Sequence, residues 1–167
     1  MGIFRERSDS RRSSRTKLVA GAALAVLVAA SACSGGPAPL RMLLEFSVAP
    51  KTNQNSPVAV SLVAIQDPKL VEKVEGMTAK QWFAQRSQLR RDFPGDEAFT
   101  EWEWEYVPDQ TPPPVVIEVD GRAIAAFLFA NYSAPGDHRF RIGPFKRLRI
   151  DIGVEDVTIR PLEARKE

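Results

Sequence analysis

Three glutamates alternate with aromatic residues between positions 101 and 106, and their spacing is the strongest argument for catalysis in this chain. Side chains alternate between the two faces of a strand, so Glu101, Glu103 and Glu105 share one face. Neighbouring residues on that face stand about 7 Å apart, close to the carboxylate separation of an inverting glycosidase. The same row is also the ordinary solvent face of an amphipathic strand, and this is the interpretation that we favour.

The opposite face of this predicted strand carries Trp102, Trp104 and Tyr106. Paired tryptophans on a concave surface stack on sugar rings, which would make the chain a glycan-binding or glycan-hydrolysing domain. Packing in a hydrophobic core is the alternative that we favour. Burial of both tryptophans against a helix that carries Trp82 and Phe83 would exclude the glycan hypothesis.

Other side chains with catalytic or metal-binding chemistry are too few to form a site. His138 is the single histidine, and it follows a Pro-Gly-Asp turn where we expect it to be solvated. A zinc site needs several His or Cys ligands, and a phosphate site needs a glycine-rich loop; the sequence offers neither. We therefore predict no enzyme, no metal, no cofactor and no small-molecule substrate.

The only cysteine, Cys33, follows a segment with the parts of a bacterial export signal. Basic residues precede the apolar stretch 18–32, which ends in small side chains. A membrane-spanning helix needs about 20 apolar residues, so this stretch is too short to span. A cysteine at the first mature position is typical of lipoproteins, and we expect cleavage before Cys33 and acylation of its thiol.

Two other fates of this segment stay open. Ala30-Ser31-Ala32 is also a site for ordinary signal cleavage, because Ala30 replaces the leucine usual in lipoprotein signals. An uncleaved anchor is the third possibility, and the sequence does not decide between the general and the twin-arginine export route. Removal of residues 1–32, with six basic and two acidic residues, turns the formal net charge from +2 to −2, so we expect no nucleic-acid partner.

The mature part has the length of one domain and is predicted to consist mainly of short strands. Strands 40–48 and 58–65 flank a polar loop, and we expect them to pair as an antiparallel hairpin. Strands of this length separated by turns indicate an all-β sandwich. Further strands are predicted from 99 to 106 and over 115–119, 123–132 (where a helix stays open), 138–142, 147–152 and 154–160.

A change of hydrophobic period marks a helical insertion at about 67–92, between strands two and three. Asp67 can cap a short helix, and Thr78 can cap a second helix that ends near Asp92. The predicted organisation is a signal peptide over 1–32, an acylated cysteine and flexible tether over 33–39, a sandwich over 40–160, and a charged tail over 161–167.

These segments together resemble the outer-membrane lipoprotein of type VI secretion systems, the TssJ or SciN family. The similarity covers most of residues 40–160, and a set of short motifs carries it. They are Asn55-Ser56-Pro57-Val58-Ala59-Val60, Met77-Thr-Ala-Lys-Gln-Trp-Phe83, Asp92-Phe-Pro94, Trp102-Glu-Trp104 and Val107-Pro108-Asp109-Gln110. The resemblance implies a transthyretin-like antiparallel β-sandwich with a short helical insertion.

The resemblance also implies an address and a partner. In the family, the acylated cysteine holds the protein on the periplasmic face of the outer membrane, and the sandwich binds the periplasmic C-terminal region of the inner-membrane component TssM. We therefore expect an assembly protein that tethers the trans-envelope complex, with Cys33 as its lipidation site; a lipid-anchored glycan-binding or glycan-hydrolysing domain is the alternative. The family's contact loop corresponds to Lys51, Thr52, Asn53, Gln54, Asn55 and Ser56.

Overall fold

A computed structural model describes residues 36–95 and 97–162, which fold as eight strands and three helical segments. The strands are β1 (Leu40–Val48), β2 (Val58–Ile65), β3 (Phe99–Tyr106), β4 (Val115–Val119), β5 (Ala125–Ala130), β6 (Arg139–Ile142), β7 (Arg147–Ile152) and β8 (Val157–Pro161). The helical segments are α1 (Thr52–Asn55), α2 (Pro68–Glu75) and α3 (Ala79–Asp92).

The strands form two sheets that enclose a common core, which confirms the predicted β-sandwich. The first sheet has the order β4-β1-β7-β8 and the second has the order β3-β2-β5-β6. Five of the six strand pairs are antiparallel, and β1 and β7 are parallel, with Leu44 opposite Leu148 and Val48 opposite Ile152. The sandwich is therefore mainly antiparallel, with one parallel pair at the centre of its first sheet.

The expected hairpin between the first two strands is wrong, because β1 and β2 lie in different sheets. Burial gives the reason. One face of β1 is buried and the other is partly open, whereas β2 is buried on both faces from Val60 to Ile65. A strand buried on both faces needs a cover on each side. It therefore lies inside the second sheet, between the sandwich core and the helices.

The helical insertion lies where the sequence predicts it, between β2 and β3. The carboxylate of Asp67 accepts the Lys69 N–H at 2.7 Å and caps α2. Thr78 and Gln81 form a reciprocal capping box at the start of α3, in which each side chain binds the other residue's backbone N–H. Both helices therefore begin at the caps that the sequence specifies.

Two apolar clusters cover the two faces of the second sheet. The larger one lies between the sheets and includes Leu44, Leu62 and Ile150, each fully buried. The smaller one fixes α2 and α3 to the outer face, where Trp82 stacks on Phe129 with ring centroids 5.0 Å apart. The segment for which a helix stayed open is the strand β5, which contributes side chains to both clusters.

The sandwich has two distinct ends. At the first, β1 begins and the turns 120–124 and 143–146 connect strands; we call this the tether end. At the second, the loops 49–57, 131–138 and 153–156 connect strands; we call this the loop end. The nine residues of β1 separate the ends by about 26 Å.

Candidate functional site

The loop between β1 and β2, which holds all six predicted contact residues, has an unusual backbone. Lys51, Asn53, Gln54 and Asn55 all have φ between 48° and 64°, in the left-handed region. This conformation costs an L-residue about 1 kcal/mol, somewhat less for asparagine. Three successive residues of this kind persist only where the surrounding structure holds them.

Hydrogen bonds of Asn53 stabilise this loop conformation. Its side-chain oxygen accepts the Ser133 N–H at 2.7 Å, and its side-chain amide donates to the Pro57 carbonyl at 2.8 Å. Its backbone N–H donates to the Val154 carbonyl, also at 2.8 Å. One buried residue therefore joins the β1–β2 loop to the β5–β6 and β7–β8 loops.

Thr52 fixes the loop from the inside. Its side chain is fully buried, and its hydroxyl lies 2.7 Å from the Ala49 carbonyl and 3.1 Å from that of Gly153. Thr52 and Asn53 thus position the loop, and their side chains do not face solvent. The other four predicted contact residues are exposed at the loop end: Lys51, Gln54, Asn55 and Ser56.

Tyr132 and His138 form a second set of hydrogen bonds between the loops at the loop end. The Tyr132 hydroxyl lies 3.0 Å from the Gly153 carbonyl and 3.2 Å from that of Asp156. Burial, with the Asp156 charge nearby, raises the pKa of Tyr132, so its hydroxyl stays a donor. No sequence pattern indicates this role of Tyr132, because it depends on loops that meet only in the folded chain.

His138 is buried, which corrects the expectation that it is solvated. Its Nδ1 lies 3.0 Å from the Asp156 carboxylate and its Nε2 lies 2.9 Å from the Ala134 carbonyl. The ring fits because residue 136 is glycine: a Cβ there would lie 2.8 Å from the imidazole. The Pro-Gly-Asp turn therefore makes room for the ring instead of exposing it.

The exposed part of the loop end combines polar and apolar side chains. Val154 is 51% exposed beside Asn53, whose backbone N–H binds its carbonyl. With Lys51, Gln54 and Asn55 it forms a surface that we call the loop-end surface. A rigid polar surface with an apolar residue inside it is suited to binding another protein, because little freedom is lost on binding.

Solved structures with this architecture exist. No protein-family model matches the sequence, and no curated protein does so significantly. Over 75% of this chain and 98% of the other, the structure is similar to the type VI secretion lipoprotein TssJ1 from Pseudomonas aeruginosa, with a TM-score of 0.58 and 16% identity. The chain has the fold of a TssJ lipoprotein.

Two further solved structures share the TssJ fold. One is Serratia marcescens Lip, a membrane-bound component of the type VI secretion system, with a TM-score of 0.55 and 13% identity over 77% of this chain and 99% of the other. The other is described as the TssM C-terminal domain from EAEC, with a TM-score of 0.50 and 13% identity over 75% of this chain and 99% of that one. The fold that the resemblance implied is therefore confirmed.

In this TssJ fold the glutamate row faces helix α3, and the expectation of a solvent face is wrong for Glu101. Its side chain is fully buried and accepts hydrogen bonds from Ser61 at 2.6 Å, from Arg86 at 3.1 Å and from Arg90. Burial alone would lower the pKa of Arg86, but its hydrogen bonds to Glu103 and Glu101 outweigh that effect and raise it. Both Glu101 oxygens are thus engaged in fixing α3 to the second sheet.

The tryptophans of β3 pack against the core between the sheets, as the favoured alternative predicts. Trp104 lies 5.3 Å from the Phe46 ring, and both Trp102 and Trp104 are half-buried. They lie on the face opposite to Trp82, so the burial against α3 that would exclude the glycan hypothesis does not occur. Both rings are therefore partly covered by the core.

The residues before β1 are packed on the tether end. A Cβ on Gly121 would lie 2.3 Å from the Pro37 carbonyl and 2.4 Å from that of Ala38, so only glycine allows the chain to pass there. Beside it, Asp120 pairs with Arg122 at 2.7 Å, and those hydrogen bonds lower the pKa of Asp120 to about 2. The second half of the predicted flexible tether is therefore in contact with the sandwich.

Several predictions fall on residues outside the described part of the chain. They are Cys33 as the lipidation site, the signal peptide over 1–32, and most of the charged tail over 161–167. Within residues 36–95 and 97–162, no helix has the length and hydropathy to cross a membrane. The same residues contain no group of three or more His, Cys, Asp or Glu placed to hold a metal ion.

Proposed function

We propose that this chain is a TssJ-type lipoprotein that tethers a type VI secretion membrane complex to the outer membrane. In this proposal Cys33 is acylated, the sandwich lies on the periplasmic face, and the loop-end surface binds the periplasmic C-terminal region of TssM. The protein acts by binding and not by catalysis. The observation that carries the proposal is the TssJ fold combined with the fixed, exposed β1–β2 loop.

The state of this loop supports a role in binding. A loop that must order itself on contact loses affinity through the conformational freedom it gives up. Here the backbone is already held by Asn53 and Thr52, while Gln54 and Asn55 point outward. The loop can therefore meet a partner in the conformation that it has in the free protein.

The position of the loop also supports the proposal. The chain enters the sandwich from residues 36–39 at the tether end, and the β1–β2 loop lies at the opposite end, about 26 Å away. A domain attached to a membrane through Cys33 can thus keep the loop-end surface clear of lipid. Two or more acyl chains give stable anchoring, at about 0.8 kcal/mol per buried methylene, whereas a single chain binds only marginally.

The anchor is tested by palmitate labelling and membrane fractionation of Cys33→Ser. We expect loss of the label and release of a folded protein into the soluble fraction. Ser34→Ala is the matched control, because it changes the adjacent residue and leaves the thiol. Continued membrane association of Cys33→Ser would contradict the anchoring part of the proposal.

A further inference from the structure

The tether end carries two of the largest exposed apolar side chains of the described residues. Ile124 is 54% exposed in the turn before β5, and Phe145 is 42% exposed in the turn before β7. Exposed phenylalanine and isoleucine side chains at one end of a domain need a cover when they form a continuous surface.

Ile124 and Phe145 line two neighbouring depressions, which share Ile142 and Gly143. A groove of about 450 Å³ opens at the tether end, lined by Leu40, Ala123, Ile124 and Pro144 among others. Phe145 lies against Gly143, at the edge of this groove, where a Cβ would come within 2.7 Å of the ring. The phenyl ring is therefore held at the surface by the turn and not folded into the core.

Charged residues of both signs surround these apolar side chains. Arg122, next to the groove, pairs with Asp120 at 2.7 Å. Lys146 follows Phe145 and is exposed, whereas Glu118 is the exposed carboxylate on the neighbouring β4. Arg41, opposite Glu118 at the start of β1, is a second exposed basic residue at this end. Apolar side chains beside the exposed basic residues Arg41 and Lys146 match the boundary between lipid headgroups and acyl chains.

The position of the lipidation site indicates that this surface contacts lipid. Pro37 passes closely over Gly121 at the tether end, and Cys33 precedes it by four residues, which span at most about 14 Å. An acyl group on Cys33 would therefore bring the tether end to the membrane surface.

We infer that the tether end is a lipid-contacting face, in which Ile124 and Phe145 rest in the interfacial layer of the membrane that holds the acylated cysteine. This inference rests on the proposed anchoring through Cys33. It adds an orientation: the sandwich stands on the membrane with β1 roughly along the normal and the loop-end surface farthest from lipid. The acyl chains attach the protein to the membrane, and the apolar side chains of the tether end set its orientation.

Site-specific fluorescence tests this orientation. Acylation occupies the only native thiol, so a cysteine introduced by Ile124→Cys or Phe145→Cys can be labelled alone with an environment-sensitive dye. The full lipidated protein is placed in vesicles of phosphatidylethanolamine and phosphatidylglycerol, with or without lipids that carry a nitroxide near the headgroup. Val154→Cys, 51% exposed at the loop end, and Val116→Cys, 49% exposed on β4, are matched controls.

We expect nitroxide quenching and a blue-shifted emission at 124 and 145, and neither effect at 154. Equal, weak quenching at all four positions in protein that floats with the vesicles would overturn the inference and leave the anchoring intact. A blue-shifted emission at 124 and 145 that occurs only after addition of the TssM fragment would also overturn the inference. The tether end would then be a protein interface. Failure of the unlabelled parent to float with vesicles would overturn the anchoring and the inference together.

Discussion

The side-chain oxygen of Asn53 accepts the backbone N–H of Ser133 at 2.7 Å, joining two loops that are 80 residues apart in the chain. The backbone N–H of Asn53 binds Val154 in a third loop. The β1–β2 loop is thus part of a fixed surface built by three segments, and its shape depends on the buried residues Thr52 and Asn53.

Asn53→Ala should destabilise the protein by about 1–3 kcal/mol, because it removes two part-buried hydrogen bonds that hold the strained loop backbone. The free energy of unfolding from urea titration measures the loss. Gln54→Ala is the neighbouring control: it is exposed and should change stability by less than about 0.5 kcal/mol. Equal effects of the two substitutions would refute the structural role of Asn53.

Gln54→Trp should weaken binding to the TssM C-terminal region by about tenfold or more while stability is retained, because a bulky side chain disturbs the centre of the loop-end surface. Co-purification and titration calorimetry measure the change. Gln85→Trp makes the same substitution on the solvent face of α3 and should leave binding unaltered. Unchanged affinity after replacement of all the exposed loop residues would remove the loop from the interface.

Two buried tyrosines should respond in opposite ways to loss of their hydroxyl groups. Tyr132→Phe removes a donor to the 153–156 loop and should cost about 1–2 kcal/mol. The buried Tyr106 hydroxyl has no hydrogen-bond partner among the described residues, and burial raises its pKa. Tyr106→Phe should therefore be neutral or stabilising in the same urea experiment, and a larger loss at 106 than at 132 would contradict the assignment.

Glu101→Gln should destabilise the attachment of α3 by about 1–3 kcal/mol, reduced from the value for a fully buried pair because Arg86 and Arg90 are partly exposed. Thermal unfolding measures the effect. Glu105→Gln changes an exposed member of the same row and serves as the control; it should leave the unfolding temperature unchanged. A stable Glu101→Gln protein would show that the arginine contacts contribute nothing to the fold.

Acid should weaken the first sheet through Asp151. Burial alone would raise the pKa of this carboxyl group, but hydrogen bonds from Ser47, Arg149 and Arg160 outweigh it and lower the pKa from 3.8 to about 2. A group with a depressed folded pKa contributes stability that is present above pH 4 and is lost as the pH falls towards 2. After discounting for solvent, the contribution is about 1–2 kcal/mol.

Unfolding free energies measured between pH 5 and pH 2 test this effect. The native protein should lose more stability over this range than Asp151→Asn, which lacks the titrating group. Parallel pH profiles of the two proteins would assign the acid sensitivity to other carboxylates.

Local patterns in the sequence predicted local structure well. The alternation of glutamate with aromatic residues predicted β3, and Asp67 and Thr78 marked the starts of α2 and α3. Each of these signals lies within a few residues of the structure that it specifies. Strand pairing does not: β1 pairs with β7, about 100 residues away, where an adjacent hairpin was expected.

The candidate site shows the same limit. The sequence identified the polar loop between β1 and β2, but the burial of Thr52 and Asn53 depends on carbonyl and amide groups from the β5–β6 and β7–β8 loops. The burial of His138 likewise depends on Asp156. A loop's composition indicates that it lies at the surface, and only tertiary contacts decide which of its side chains a partner can reach.

The proposed function depends on binding of TssM by the loop-end surface. Titration calorimetry of the mature protein with the purified periplasmic C-terminal region of TssM from the same organism tests it most directly. We expect saturable binding that Gln54→Trp weakens and Gln85→Trp does not. Absence of binding with both proteins folded, or equal affinity for the two variants, would contradict it.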